Sequence, residues 1–418
     1  MKGYSFKALA EAHETLSDRS DGERGSIGRI MSPLLSLPLK NSLAMTQGVG
    51  DVSFSRASGA TYIDRYGIVQ KVLDDVPRFE KAGLLVEGES TNLVLISDGA
   101  QGLTGGSYTA GQTGPDGAAT ATLFTEDSLT STHLVNTAIA VTAGTYSLSI
   151  FIKPNGRDTL RLMLNDGTNS PFVDFDVANK TISLESGATG KIDTLADGWL
   201  RLRAEGAVLI AATANFSVRP LLAGLQTYLG DGTSGFYYAG YQLEELPFAS
   251  SYIPTTGAAA TRIAEDCSIT FQGNSPHGVD DGTVICDVST LGGGVYHTIW
   301  SMYAGAGAQS RLIQWSNDVT RLAFGDALYN YGAGAAIDTV IRYGGTLEGL
   351  TSSLYADGVL EDSDLTASGM FVDTILGADS YELRLGAQPI VGAFPMYGHV
   401  SNFRIYDQAL TAEEMRLA

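Results

Sequence analysis

The sequence is poor in the residues that most often carry chemistry. It has two cysteines, Cys267 and Cys286, and five histidines, at 13, 133, 277, 297 and 399, in 418 residues. The cysteines form no CxxC and, with His277 between them, fit no zinc spacing. One disulfide in an oxidising compartment and two buried thiols are both compatible with them. No G-x-S-x-G occurs and the histidines share no motif spacing, which excludes the familiar signatures of Ser/His/Asp catalysis. The glycine run LGGGV at 291–295 has no G-K-[ST] behind it, so it reads as a turn and not a phosphate loop.

Charge is also sparse. Charged residues make up 17% of the chain, and 26 Lys and Arg face 46 Asp and Glu, a net charge of −20. Such a surface repels nucleic-acid phosphates and anionic membranes, keeps the protein soluble and tolerates neutral glycans. No window approaches the roughly 18 apolar residues of a membrane span, and there is no heptad run or low-complexity tract. The start, MKGYSFKALAEAH, has Lys2 but no apolar stretch behind it, so standard export is not expected.

What is abundant is glycine, 50 residues against 12 prolines, together with Thr, Ser, Tyr and Val. That mixture predicts many short strands joined by tight turns. Period-two alternation predicts strands at 145–153, 159–164, 172–177, 199–206, 214–223 and 234–246. A further set begins with CSITF and GTVICDVST and ends with GHVSNFRIYDQ. One terminal helix, LTAEEMRLA, is predicted with Thr411 as N-cap and Glu413 and Glu414 in its first turn. Residues 1–46 differ. Phe6, Leu9, His13 and Leu16 lie at helical spacing, and MSPLLSLPLKNSL should be extended and docked. The fold expected is all-β: a partly helical head at 1–46 that folds against a partner, a small β connector at 47–97, a jelly roll at 98–263 and a second sandwich at 264–418. PTTGAAATRI, near 254–263, reads as the linker between the last two.

The segment FSRASGATYIDRYGIVQKVLDDVPRFEKAGLLVEGESTNLV, 54–94, resembles one common in structural proteins of tailed bacteriophages. The matching positions are Phe54, Arg56, Ala57, Ser58, Ala60, Thr61 and Tyr62, then Pro77, Arg78, Phe79, Gly83, Leu84, Leu85, Glu87, Thr91, Asn92 and Leu93. The middle unit is similar to carbohydrate-binding-module-like jelly rolls through YSLSIFIKP, DGWLRLR and YAGYQLEEL. The last is similar to laminin-G or concanavalin-A-like domains through LYADGVL and GHVSNFRIYDQALTAEEM. The resemblance implies a virion protein, a tail fibre or other appendage, displaying sandwiches that bind host-surface glycans. It also implies attachment to other virion proteins through the head, a homotrimer, and release from the host by lysis. A purely structural capsid or tail decoration and a capsular polysaccharide depolymerase are the alternatives.

Glycan binding calls for aromatic faces flanked by polar groups. The candidates are Tyr237, Tyr238, Tyr241, Trp300, Tyr303, Trp315 and Tyr329; in an uninterrupted strand Tyr237 and Tyr241 share one face and Tyr238 takes the other. Trp199 reads as core. Asp166, Asp174 and Asp231, in loops rich in Asp, Asn and Gly, are candidate ligands for a structural Ca2+, although Asp-Gly turn chemistry accounts for such loops equally well. No other cofactor is expected, and no enzyme activity. The acidic clusters Glu244–Glu245, Glu361–Asp362–Asp364 and Glu413–Glu414 lack the E-x-D-x-E strand pattern of concanavalin-A-like glycosidases and read as solvated acids.

Overall fold

The computed structural model describes residues 32–48, 50–99, 101–210, 212–272, 281–303, 309–314, 317–323, 333–349, 351–365, 380–387 and 394–418. The expected N-terminal helix and the candidates Trp315 and Tyr329 lie outside the described residues, as does the side chain of Tyr303.

Alternation builds the first sandwich. Along Leu200–Leu209 the side chains of Leu200, Leu202 and Ala204 point inward, while Arg201, Arg203 and Glu205 point to the other face. That strand lies in a six-stranded sheet ordered Thr189–Thr194, Leu200–Leu209, Gly144–Asn155, Gly235–Glu244, Ala121–Glu126, Gly106–Gln112. A second six-stranded sheet runs Thr181–Ser186, Phe172–Asp176, Thr159–Asn165, Ala212–Leu221, Leu134–Val141, Gly102–Thr104. Between them lies a core that includes Tyr146, Ile150, Leu162, Phe175, Phe216 and Phe236. Every ladder in both sheets is antiparallel.

The second sandwich recruits strands from far upstream. Its larger sheet runs Val359–Leu365, Thr351–Ala356, Ile341–Glu348, Gly282–Thr290, Tyr397–Tyr406, Gly83–Glu87, Arg78–Glu80. Leu35–Leu37 also pairs with Tyr397–Tyr406, beyond the stretch bound by Gly83–Glu87. The facing sheet begins with Asp51–Ser55, followed by Asp266–Gln272, Ser380–Leu385, His297–Tyr303, Gln309–Gln314, Val319–Ala323 and Ala333–Gly334. Leu84, Val86, Cys267, Cys286, Trp300, Leu383 and Phe403 share the core. Both cysteines are free and buried, and burial pushes both thiols up, Cys267 to about 12.

The strands of 47–97 therefore form no connector sheet. Apart from the hairpin Ala60–Ile63/Val69–Val72, they complete the second sandwich or, as Ser90–Asn92, pair with Ala260–Arg262. The same pairing ties down the expected linker, where Arg262 is fully buried. Segment 33–46 is extended and docked, as its prolines predict. The hairpin turns at Asp64–Gly67: Asp64 Oδ1 accepts from the Tyr66 and Ile68 amides, and Gly67 takes a φ of 81° that favours glycine. The terminal helix, Ala412–Leu417, opens on a reciprocal cap: Glu414 N–H donates to Thr411 Oγ1, and Thr411 N–H donates to Glu414 Oε2.

Candidate functional site

Segment 54–94 supplies polar side chains to a buried joint. In the hairpin Arg78–Glu80/Gly83–Glu87, Phe79, Leu84 and Val86 turn to the second core, so Arg78, Leu85 and Glu87 face out of that sandwich. Opposite them stand Arg201, Gln242 and Glu244 on the outward face of the first sandwich.

Arg56, Arg78, Glu87, Glu265, Arg262 and Glu244 are all buried here. Glu265 Oε1 accepts from Arg56 Nη1 at 2.7 Å and Arg78 Nε at 2.9 Å, and its Oε2 accepts from Arg78 Nη2 and the Glu87 amide, both at 2.9 Å. Glu87 pairs with Arg78 at 2.7 Å and Arg262 at 3.1 Å, and accepts from the Ser251 amide and hydroxyl. Glu244, expected to be a solvated acid, is buried and accepts from Ser90, Gln242 and Ser250. Asn92 donates to the Tyr241 and Ile253 carbonyls and accepts from the Val94 and Leu243 amides.

Burial alone would push the Glu87 carboxyl up, but Arg262 and Arg78, with the bonds from Ser251, hold it down at about 2 against an ordinary 4.5. A folded-state pKa below the unfolded one gives stability that is complete above about pH 4.5 and lost as pH falls toward 2. Acid titration followed by circular dichroism should show a flat plateau above pH 5 and loss of structure across that window. Unchanged stability at pH 2 would mean the joint does not depend on ionised Glu87.

Beside the joint lies a cleft of about 700 Å³. One wall is the hairpin, with Tyr62, Ile63, Asp64, Arg65 and Tyr66; the second is the first sandwich, with Arg201, Arg203 and residues 192–196. The third is the second sandwich, with Glu80, Leu85 and His399. A smaller hollow of about 450 Å³ shares Ile192, Asp193, Arg203 and Asp338 with it. Tyr66 is 67% exposed, with the Arg65 guanidinium 5.0 Å from its ring centroid. The acids of the cleft are engaged. Glu80 Oε1 accepts from the Ile63 amide at 2.6 Å and its Oε2 meets His399 Nε2 at 2.9 Å. Asp193 and Asp338 pair with Arg203, and Asp338 also with Lys191.

The structure places three of the aromatic candidates, Tyr238, Tyr241 and Trp300, in cores. Gly240, at φ 66°, makes a bulge at which the register along Gly144–Asn155 shifts. The extra residue reverses the alternation, so Tyr238 and Tyr241 lie in the same core with ring centroids 5.7 Å apart, and Tyr237 alone takes the opposite face. Trp300 is 1% exposed and packs edge-on to Phe403. Trp199 is buried, as expected, under the hairpin with Val69, Phe151 and Tyr252.

The metal candidates are separately engaged. Asp166 accepts from the amides of Thr168, Asn169 and Ile210; the Ile210 bond above all holds its carboxyl down at about 2. Asp174 is clamped by Arg161 through two bonds, at 2.6 and 2.8 Å. Asp231 caps Thr233 and Ser234 and pairs with Arg157. Among the described residues no group of His, Cys, Asp and Glu is arranged to hold a metal ion.

No protein-family model matches the chain, and no curated protein does. Among solved structures it is similar to the CBM40 of Ruminococcus gnavus IT-sialidase bound to α2,3-sialyllactose, at 17% identity over 33% of this chain and 81% of that one, TM-score 0.29. It is similar to the heptameric SAP-like pentraxin of Limulus polyphemus, at 15% identity over 36% and 80%, TM-score 0.26. It is also similar to Trypanosoma rangeli sialidase in complex with sialic acid, at 12% identity over 71% and 59%, TM-score 0.30.

Proposed function

We propose that this chain is a virion structural protein of the tailed-phage appendage type, presenting two sandwiches as one rigid body and binding host-surface glycan in the cleft between them without cleaving it. The observation that carries the reading is the fate of the phage-like segment. Its polar positions Arg56, Arg78, Glu87 and Asn92 are all buried at the joint. Buried charge networks are poor devices for raising stability, but they are costly to leave half-satisfied and so specify one arrangement. A segment shared among display proteins would serve that purpose wherever sandwiches must be held at a set angle. The glycan reading is supported by the concave cleft and by the exposed Tyr66 ring on its rim. Binding without hydrolysis is supported by the cleft acids, each already held by an amide, a histidine or an arginine. Residues 35–39 belong to the second sandwich, so attachment through the part of the head that precedes them, and a homotrimer, complete the proposal.

The test pairs two assays on the full chain: co-sedimentation with phage particles, and binding to an array of bacterial surface polysaccharides. Particle association and glycan binding are both expected, with Tyr66→Ala weakening the binding roughly threefold to tenfold. Association without binding would identify a decoration protein, and release of reducing ends a depolymerase. A chain that never sediments with particles would overturn the virion reading.

A further inference from the structure

Arg201 is the unexplained charge of the cleft. Six arginines are buried among the described residues: Arg56, Arg78, Arg161, Arg201, Arg203 and Arg262. Five of them pair with carboxylates of the chain. Arg201, 6% exposed, pairs with none. Its Nη2 donates to Ser149 Oγ at 2.9 Å and to the Ser250 carbonyl at 2.6 Å, while its Nε is buried without a hydrogen-bond partner. Its Nη1 has no partner among the described residues, and the side chain lines the cleft. A second orphan lines the same cleft: Nδ1 of His399 is buried and unbonded, its Nε2 being taken by Glu80.

A buried guanidinium without an anion costs several kcal/mol relative to a paired one. Burial, with repulsion from Arg203, pushes the Arg201 pKa down against the attraction of Asp193, Glu244 and Glu87, each of which is hydrogen-bonded to other donors. Farther out, Arg65 and Lys81 line the cleft as exposed cations that meet no carboxylate among the described residues. The cleft acids Asp64, Glu80, Asp193 and Asp338 are all committed to donors. In a chain of net charge −20 this cleft thus gathers three cations that pair with no acid among the described residues.

We propose that the cleft selects a carboxylate-bearing glycan, one carboxylate completing Arg201 and the flanking charges meeting Arg65 and Lys81. With both N–H groups of Nη2 taken by Ser149 and Ser250, the guanidinium is held in place and its Nη1 is left to give a carboxylate oxygen a charge-assisted bond. The inference rests on the glycan-binding reading and deepens it. Binding of the full chain would be measured by calorimetry against a panel of hexuronate oligosaccharides of differing linkage and against the same sugars after carboxyl reduction. The acidic member that binds should lose roughly tenfold to a hundredfold on reduction, the worth of a charge-assisted bond. Arg201→Gln should lose a similar factor for the acidic sugar and little for the reduced one, with its thermal unfolding recorded alongside. Because Arg201 is buried, Lys81→Glu at the exposed rim supplies a second arm: it should weaken the acidic sugar several-fold and flatten the salt dependence. Equal binding of acidic and reduced sugars would overturn the inference and leave the glycan reading standing. Undiminished binding of the acidic sugar to folded Arg201→Gln would overturn it too. No binding of either class by the folded chain would overturn both.

Discussion

Glu265→Ala is expected to lower the unfolding free energy by about 3–5 kcal/mol, the usual cost of removing one partner from a buried ion pair. The carboxylate accepts four hydrogen bonds, three from the guanidinium groups of Arg56 and Arg78 and one from the Glu87 amide. Its loss strands Arg56 without an acid and leaves Arg78 with one in place of two. Arg78 retains Glu87 and the Thr61 carbonyl, while Arg56 keeps only backbone carbonyls. Urea denaturation measures the effect, and Glu89→Ala is the control. Glu89 is exposed two residues from Glu87, and its removal should stay within about 0.5 kcal/mol. The shape of the transition matters as much as its midpoint. If the joint couples the sandwiches, wild type melts in one step and the variant melts earlier or in two. A change below about 1 kcal/mol, with one unaltered transition, would show that the buried charges hold nothing together.

Much of the fold was legible because its strands obey period two. Gly282–Thr290 is found where alternation placed it, and Leu200–Leu209 begins one residue later than expected and runs three further. The strands that escaped, such as Gly106–Gln112 and Thr181–Ser186, are exposed edge strands with no buried face to impose a pattern. Domain boundaries were less legible, because pairing is non-local. Nothing in GLLVE announces that Leu84 and Leu85 will lie beside Val400 and His399, more than 300 positions away. The linker-like PTTGAAATRI likewise hides Arg262, whose partner Glu87 belongs to another segment.

The site was legible only as a motif. Arg56, Arg78, Glu87 and Asn92 stood out by resemblance, but their burial together follows from two sheets meeting face to face. Arg201 and Arg203 carried a usable signal, two cations at the outward positions of WLRLRAEG in a chain short of cations. What separates them is tertiary: Arg203 finds Asp193 and Glu205, and Arg201 finds no acid. Tyr238, Tyr241 and Trp300 are buried for a local reason. A β-bulge adds one residue and shifts every later side chain to the other face. Gly240 does this between Tyr238 and Tyr241, and the register shift between Thr298 and Trp300 does it in the second sandwich.

That second bulge sets up the other large effect. Because of it, the consecutive residues Ile299 and Trp300 both enter the core of the second sandwich, which strict alternation forbids. Trp300→Ala is accordingly expected to cost about 3–5 kcal/mol, the transfer of a large aromatic plus the cavity it leaves. Phe403 loses an edge-on partner at 6.4 Å between centroids, and the strand His297–Tyr303 is central, paired on both sides, so the gap cannot close by shedding an edge. A glycan-contacting tryptophan behaves in the opposite way: its removal abolishes binding and leaves stability within about 0.5 kcal/mol. Measuring urea denaturation and oligosaccharide binding on the same variant separates the two. A large fall in stability, with glycan affinity retained by the fraction that stays folded, places Trp300 in the packing. Unchanged stability with lost binding would return it to the recognition surface and move the site away from the cleft.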